Sequence, residues 1–391
     1  MRWFIRSQGW IRDTRAILIR FIDSAASFGI RRSGGGVVIV KIDAIGDFIL
    51  WVNSGRELRR IFPEQKLTLI ANESWSELAK SLPYWDQVIS VKVKRFTIDM
   101  PYRWSVVRNL RRLGFDTAVQ PTISRHFLTG DPLVKATGAR LKIGSVGDRS
   151  LMTVKEKRVA DGWYTTLFPF TEQGLTELEL HAEFTSHLGG GGFPASLPKL
   201  PRFEVMERDK PIRTPYFVVF PGASWVGRQW PADRFASMVS AISKESDALA
   251  VLCGGNDEVE LCNAIAAQCG TDTVNLAGKT SLTEFAELVR QSIFLVGNET
   301  SCIHIAAAVG TPSICILGGG HFRRFLPYPK FSENYTPKVV FQQMSCFGCN
   351  WVCTQPHDAN GAMPCMNAIS VEAVLSEVRC LLSASADKQL H

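Results

Sequence analysis

Residues 37–61 read VVIVKIDAIGDFILWVNSGRELRRI. The run VVIVK is short and almost wholly apolar, which predicts a strand buried on both faces, as in a parallel sheet. Gly34, Gly35 and Gly36 end the segment before it, the loop IDAIGD follows, and a helix is expected from Phe48 to Ile61, with Pro63 stopping it. The alternation then continues. Strands are expected at Leu67–Ala71, Val88–Val91, Thr117–Gln120 and Lys142–Gly144, with helices near Glu73–Ser81 and Tyr102–Leu113 between them. That pattern is one doubly wound unit.

The stretch 146–215 holds a Gly189–Gly192 run and Pro194, Pro198, Pro201, Pro211 and Pro215, so the interdomain linker is placed at its end. A second series starts at Tyr216–Phe220, with further strands at Leu249–Leu252, Thr273–Leu276, Phe294–Gly297 and Ser313–Leu317. Its helices are Arg234–Lys244, Glu258–Gln268, Leu282–Gln291 and one through His304 to Val309. The chain therefore reads as α/β, with an N-terminal segment 1–36, a Rossmann-like domain 37–210 and a second Rossmann-like domain 211–391. Two such domains facing a central cleft would bring the carboxyl ends of both sheets to it, and functional residues are expected in the strand-to-helix loops. No short-period repeat appears, which excludes solenoids and propellers.

The 391 residues are 46% hydrophobic and 21% charged, an ordinary globular composition with no apolar run of the ~18 residues that crosses a bilayer. The net charge of +7 is uneven: residues 1–210 carry 32 Lys and Arg against 22 Asp and Glu, residues 211–391 carry 12 against 15. A basic front half points to an anionic partner. All ten cysteines fall between Cys253 and Cys380, unlike a disulfide framework, and the compartment is read as reducing cytosol. Trp3, Ile11, Leu18 and Ile22 recur at about helical spacing among Arg2, Arg6, Arg12, Arg15 and Arg20, unlike a secretory signal. The segment suits either a helix in the headgroup layer or one docked on its own protein; in the first case removing residues 1–33 should release the protein from anionic vesicles without unfolding it.

In the first domain the loop KIDAIGDF offers Gly46, which lets backbone approach a ligand, and Asp47, as a helix cap or a functional acid. In the second, FPGASWVGRQWP supplies Gly222, Ser224 and Arg228, a phosphate-like environment. NETSCIHIAAAVGTP puts Glu299, Thr300 and Ser301 at a helix mouth, where free N–H groups and the dipole favour an anion. His304, one turn further on, is either a core histidine or a ligand contact. There is no GxxxxGK[ST], no GxGxxG after the first strand, no HExxH and no GxSxG. Nucleotide hydrolysis, dinucleotide redox and those two hydrolase chemistries lose support. Lys92, Lys94, Arg95, Arg103, Arg108, Arg111 and Arg112 form a basic cluster without any nucleic-acid-binding module. Cys346, Cys349, Cys353 and Cys365 have spacings x2, x3 and x11, so four thiolates in the loop 346–365 could hold structural zinc or iron.

Taken in order, VVIVKIDAIGDFIL with LRRIFPEQKLTLIANESWSELAKSLPYWDQVI, then VVFPGASWVGRQWPADRF and VGNETSCIHIAAAVGTPSICILGG, resemble glycosyltransferase family 9, the bacterial heptosyltransferases of the lipopolysaccharide inner core. The resemblance covers most of Val37 to Leu382. It implies the GT-B fold, with a nucleotide sugar, ADP-heptose or another, held mainly by the second domain. Asp47 matches the family's catalytic base, which would deprotonate an acceptor hydroxyl as it attacks the anomeric carbon with inversion. Ser224, Arg228 and the backbone at Thr300 and Ser301 would stabilise the departing diphosphate, Gly222 and His304 would complete the donor site, and no catalytic metal is needed. Glu258, after GGND, matches a carboxylate aimed at the ribose, or complements its helix dipole. The family commonly has lysine at Arg228 and aspartate at Glu299.

The resemblance also implies an anionic glycolipid acceptor held near Gly46, Lys92, Lys94, Arg95 and Arg108, and a cytoplasmic enzyme, peripheral on the inner membrane. Nucleic acid is not expected. Some members, notably protein heptosyltransferases, carry a four-cysteine iron site, so a protein acceptor is one alternative and a non-catalytic sugar-nucleotide-binding module another.

Overall fold

The computed structural model describes residues 17–31, 33–171, 174–205, 212, 215–331 and 335–387. Most of the N-terminal segment's expected amphipathic pattern lies outside them. Residues 17–27 are helical.

Among the described residues twelve strands form two sheets. The first contains β1 (Val37–Lys41), β2 (Leu67–Asn72), β3 (Gln87–Val91), β4 (Thr117–Gln120), β5 (Leu141–Ser145) and β6 (Thr166–Phe168), in the order β3-β2-β1-β4-β5-β6. The second contains β7 (Tyr216–Phe220), β8 (Leu249–Leu252), β9 (Thr273–Asn275), β10 (Leu295–Asn298), β11 (Ser313–Ile316) and β12 (Lys338–Val340), in the order β12-β11-β10-β7-β8-β9. All pairings are parallel, with Val37 opposite both Leu67 and Thr117, and Leu295 opposite both Val218 and Ser313. Counted within each sheet, the strand order is the same. β1 beside β4 and β7 beside β10 are therefore the switch points, where the chain changes direction across the sheet and the loops part.

The chain divides into two compact units, the first comprising the chain up to Phe48, Ser54–Gln173 and Leu180–Pro194, the second Ile49–Asn53, Gly174–Glu179 and Ala195 onward. In the first, Val38, Val40, Ile70 and Ala118 join Phe96, Val107, Leu110 and Leu133 in one core. In the second, Phe217, Val219, Val296 and Ile314 pack with Trp230, Phe235 and Val374. Two strands went unforeseen, β6 and β12. Each is a three-residue edge strand, too short to show a period. The helices Val93–Ile98, Gly130–Thr137, Val154–Asp161, Glu177–Gly189 and Val371–Asp387 were likewise not expected.

Arg103 leaves the surface cluster. Its guanidinium is wholly buried, with Nε and Nη2 donating to the two oxygens of Asp23 at 2.7 and 2.6 Å and Nη1 to the carbonyls of Phe96 and Leu128. It ties residues 17–27 to the helix Met100–Leu113. Removing residues 1–33 would take Asp23 from Arg103, so residues 17–27 are part of the first unit's packing.

Candidate functional site

The loops leaving β7 and β10 start on adjacent strands, so the PGAS turn and the NETS turn meet at the second switch point. Asn298, buried at the end of β10, joins them: Nδ2 donates to the Pro221 carbonyl at 2.7 Å, and Oδ1 accepts from the Trp230 amide at 3.1 Å. Arg228 lies in the short 3-10 helix Val226–Arg228. Its Nη1 donates to Ser224 Oγ at 3.3 Å, and its Nη2 to the Glu299 carbonyl at 2.8 Å and to Glu299 Oε2 at 3.2 Å. Ser224, Arg228 and Glu299, 75 residues apart at the extremes, form one constellation.

Glu299 is 5% exposed, and burial pushes its carboxyl up while the Arg228 guanidinium pulls it back down. Thr300 is the N-cap of the helix Ser301–Val309 with extended backbone, and its hydroxyl turns to Cys302 Sγ at 3.2 Å instead of capping. The first-turn N–H groups are thus left uncapped by that side chain, the arrangement that attracts an anion. His304 is buried, shares a 2.6 Å hydrogen bond through Nδ1 with Tyr328 Oη, and has its pKa lowered to about 3 by desolvation. It is a neutral imidazole and brings no charge to a phosphate.

Glu258 and Gly222 also come together. A Cβ on Gly222 would lie 2.5 Å from Glu258 Cγ, so only glycine leaves room, and Glu258 Oε2 accepts from the Gly255 amide at 2.6 Å. No local pattern signalled Trp351. It lies in the cysteine loop, 123 residues from Arg228, yet its ring centre is 5.2 Å from the Arg228 guanidinium carbon and 6.0 Å from the Trp225 ring. Asn350 and Trp351 both adopt left-handed backbone, φ 50° and 63°, and Trp351 sits on Gly318 and Gly320, where a Cβ would meet its ring at 2.6 and 2.3 Å. The glycine loop after β11 is what lets the cysteine loop reach Arg228.

The four cysteines do not assemble into the expected metal site. Cys346 and Cys349 act electrostatically on buried Cys365, whose Sγ accepts from the Gly319 amide at 3.4 Å, but Cys353 Sγ turns to the Gln355 carbonyl at 3.7 Å. Among the described residues no three Cys, His, Asp or Glu side chains converge as metal ligands.

In the first unit, Gly46 and Asp47 occupy the first turn of the helix Ile45–Ile61. Ala44 is its N-cap, and Asp47 is the acidic residue of its first turn. The loop is clamped from β2: Trp75 Nε1 donates to the Asp43 carbonyl at 2.8 Å, Asn72 Nδ2 to the Ile42 carbonyl at 3.1 Å, and Trp75 stacks on Phe48. Lys92, Lys94, Arg95 and Arg108 are exposed, with Lys92 paired to Glu73 at 4.0 Å and Arg95 to Asp99 at 2.6 Å.

Two Rossmann-like units of one strand order make the GT-B architecture, and the second carries an arginine and an uncapped helix mouth at its switch point. The model of glycosyltransferase family 9 (heptosyltransferase) matches residues 103–347, more than half of the chain. The chain belongs to glycosyltransferase family 9. Lipopolysaccharide heptosyltransferase 3 of Escherichia coli (strain K12) is 30% identical over 109 residues, 27% of this chain and 32% of that relative, so the match spans about a third of the relative's length. A lipopolysaccharide heptosyltransferase 3 of Escherichia coli is 23% identical over 287 residues, 70% of this chain and 80% of that one. In fold, the chain is similar to E. coli heptosyltransferase WaaC with ADP-2-deoxy-2-fluoro heptose, with a TM-score of 0.63 and 16% identity over 88% of this chain and 98% of that one. Among the described residues no helix is long and apolar enough to cross a membrane.

Proposed function

We propose that the chain transfers heptose from an ADP-linked donor, with inversion, to a sugar of a lipopolysaccharide-type acceptor. The observation that carries this reading is the Ser224–Arg228–Glu299 constellation at the uncapped mouth of the helix Ser301–Val309. Preorganised donors of this kind stabilise the charge that builds on a departing diphosphate. The reading is supported by the ADP-2-deoxy-2-fluoro heptose of the WaaC structure and by the names of the curated relatives. Asp47 takes the acceptor hydroxyl proton, the oxygen bonds to the anomeric carbon, and the bond from that carbon to the diphosphate breaks. Glu258 binds the ribose, and Gly222, Thr300 and Ser301 offer backbone to the phosphates. The step uses only the chain's own residues. A protein acceptor has no observation in its favour beyond the cysteines, which do not assemble.

The test combines binding with turnover. ADP-sugars should raise the Tm above the effect of UDP- and GDP-sugars, since a ligand specific for the native state at 100 times its Kd stabilises by about 2.7 kcal/mol. Asp47→Ala should cut transfer by about 10²–10⁴-fold while donor binding persists. Stabilisation by UDP- or GDP-sugars alone overturns the donor, and an active Asp47→Ala variant overturns the base. A non-catalytic module would bind donor with no transfer in the unmodified chain.

Peripheral contact with an anionic membrane is part of the same reading. Leu18 and Phe21 are 57% and 72% exposed beside exposed Arg20, an apolar and basic face of the kind that enters headgroups. Leu18→Ser with Phe21→Ser should weaken sedimentation with anionic vesicles, and unchanged sedimentation refutes the contact. These substitutions leave the Asp23–Arg103 pair in place.

A further inference from the structure

The first sheet has its own switch point, and the loops leaving β1 and β4 enclose a cavity of about 310 Å³ there. Ile42 and Asp43 come from the loop after β1, Val93 and Thr97 from the helix Val93–Ile98, and Gln120, Thr122, Ser124 and His126 from the end of β4 and beyond. Thr129, Gly130 and Leu151 complete the lining. None of these residues belongs to the donor constellation or to the basic cluster.

The lining has a definite chemistry. Asp43 Oδ2 accepts from Thr122 Oγ1 at 2.8 Å and from buried Lys41 Nζ at 2.6 Å, so the carboxylate is held in place and its charge is countered from below. Gln120 Oε1 lies against the hydroxyl of half-buried Tyr164, which also reaches Asp131 Oδ1 at 2.6 Å, and Gln120 Nε2 lies over Gly130, where a Cβ would be only 2.2 Å away. His126 Nδ1 accepts from the Leu128 amide at 3.1 Å, which assigns the ring proton to Nε2. Hydroxyls, an amide, an imidazole and a carboxylate face an apolar wall of Ile42, Val93 and Leu151. That combination suits the alternating hydroxyls and C–H face of a sugar ring.

The same lining argues against a phosphate. It contains no lysine or arginine. Arg125, between two lining residues in the sequence, is fully buried; it donates to Asp161, lies 4.0 Å from Asp131 and stacks on Tyr164. Of the exposed cations near Val93 in sequence, Lys92 and Arg95 are paired with Glu73 and Asp99, and Lys94 lies outside the lining. A dianion in the cavity would meet Asp43 with no lining cation to offset it. The volume is at the lower end of small-molecule sites, enough for one ring and not for an oligosaccharide.

We propose that this cavity binds one neutral, unphosphorylated sugar ring of the acceptor, so that the acceptor is read at the first switch point by its hydroxyls. The proposal rests on the transferase reading above and assigns the acceptor class to residues distinct from the basic cluster.

The test uses the full chain and a panel of probes, the methyl glycosides of mannose, glucose, galactose and heptose, with mannose 6-phosphate as the charged counterpart, followed by saturation-transfer NMR. At least one neutral glycoside should bind, mannose 6-phosphate at least tenfold more weakly than the mannoside, and Thr122→Val should weaken the neutral probe at least tenfold. Leu151→Trp, on a half-exposed wall position, should block the cavity even if Thr122→Val fails to fold. Binding by no neutral glycoside, equal or tighter binding of mannose 6-phosphate, or indifference to both variants overturns the assignment. ADP is titrated in parallel and separates the two failures. An ADP response without glycoside binding sinks the cavity alone, and glycoside binding without an ADP response sinks the donor reading.

Discussion

Both sheets set their first and fourth strands side by side, β1 against β4 and β7 against β10, yet the loops that leave those strands carry opposite chemistry. In the second unit the switch point presents Arg228, held by Glu299 and Ser224 and covered by Trp351, next to a helix mouth that its N-cap side chain leaves open. In the first it presents Asp43, Thr122, Ser124 and Gln120 around a cavity without a cation, with Asp47 a turn along the helix. The fold decides where a ligand goes, and the loop side chains decide what charge it has. A diphosphate suits one and a polyol the other.

The sharpest way to break that contrast is to remove the cation. Arg228→Ala should lower transfer by about 10²–10³-fold, as loss of one oxyanion donor does. It should also lower the Tm, because Glu299 is then buried without its partner. Arg228→Lys should recover part of the activity, since charge survives while the fork that reaches Ser224 and Glu299 together is lost. Full activity in Arg228→Ala would mean that the second switch point is not the diphosphate site.

A smaller effect tests how Arg228 is held. Trp351→Leu removes a cation–π contact worth about 0.5–2 kcal/mol and should raise KM for the donor several-fold, with Trp351→Phe restoring most of it. A purely structural tryptophan would lower the Tm in both variants and leave KM alone.

The smallest effect separates the two units by pH. Burial raises the Asp131 pKa from 3.8 to about 6, against the pull of Arg125. Between those values the unfolded chain has released a proton that the folded chain keeps, so stability from this group falls as pH rises from 4 to 6. Burial lowers the His304 pKa from 6.5 to about 3, so the unfolded chain gains a proton that the folded chain refuses, and stability from this group falls as pH drops below 6.5. Thermal unfolding from pH 4 to 7.5 should show Asp131→Asn flattening the first slope and His304→Asn the second; identical pH profiles in all three proteins would refute both assignments.

Much of the architecture was legible because parallel strands are buried on both faces and announce themselves as apolar runs. VVIVK, YFVVF and LAVL each became a strand with the expected bounds. The edge strands Thr166–Phe168 and Lys338–Val340 escaped notice because three residues at a half-covered edge carry no such run. The candidates Gly222, Ser224, Arg228 and Glu299 could be singled out in the sequence because they flank recognisable turns. Arg103 was misread as surface, since its partner Asp23 lies 80 residues away and no local pattern distinguishes a buried arginine from a solvated one.

The amino-acid order by itself determined the alternation of strands and helices, the two matching halves and the turns on which the candidate site residues sit, because each of these is written in neighbouring residues. The tertiary structure alone decided that Trp351 covers Arg228, that Thr122 donates to Asp43 in the wall of a cavity, that Arg103 is a buried tie and that the four cysteines do not converge. These depend on which loops adjacent strands bring together, and strand adjacency is set by packing over separations of tens to more than a hundred residues, beyond the reach of any local period.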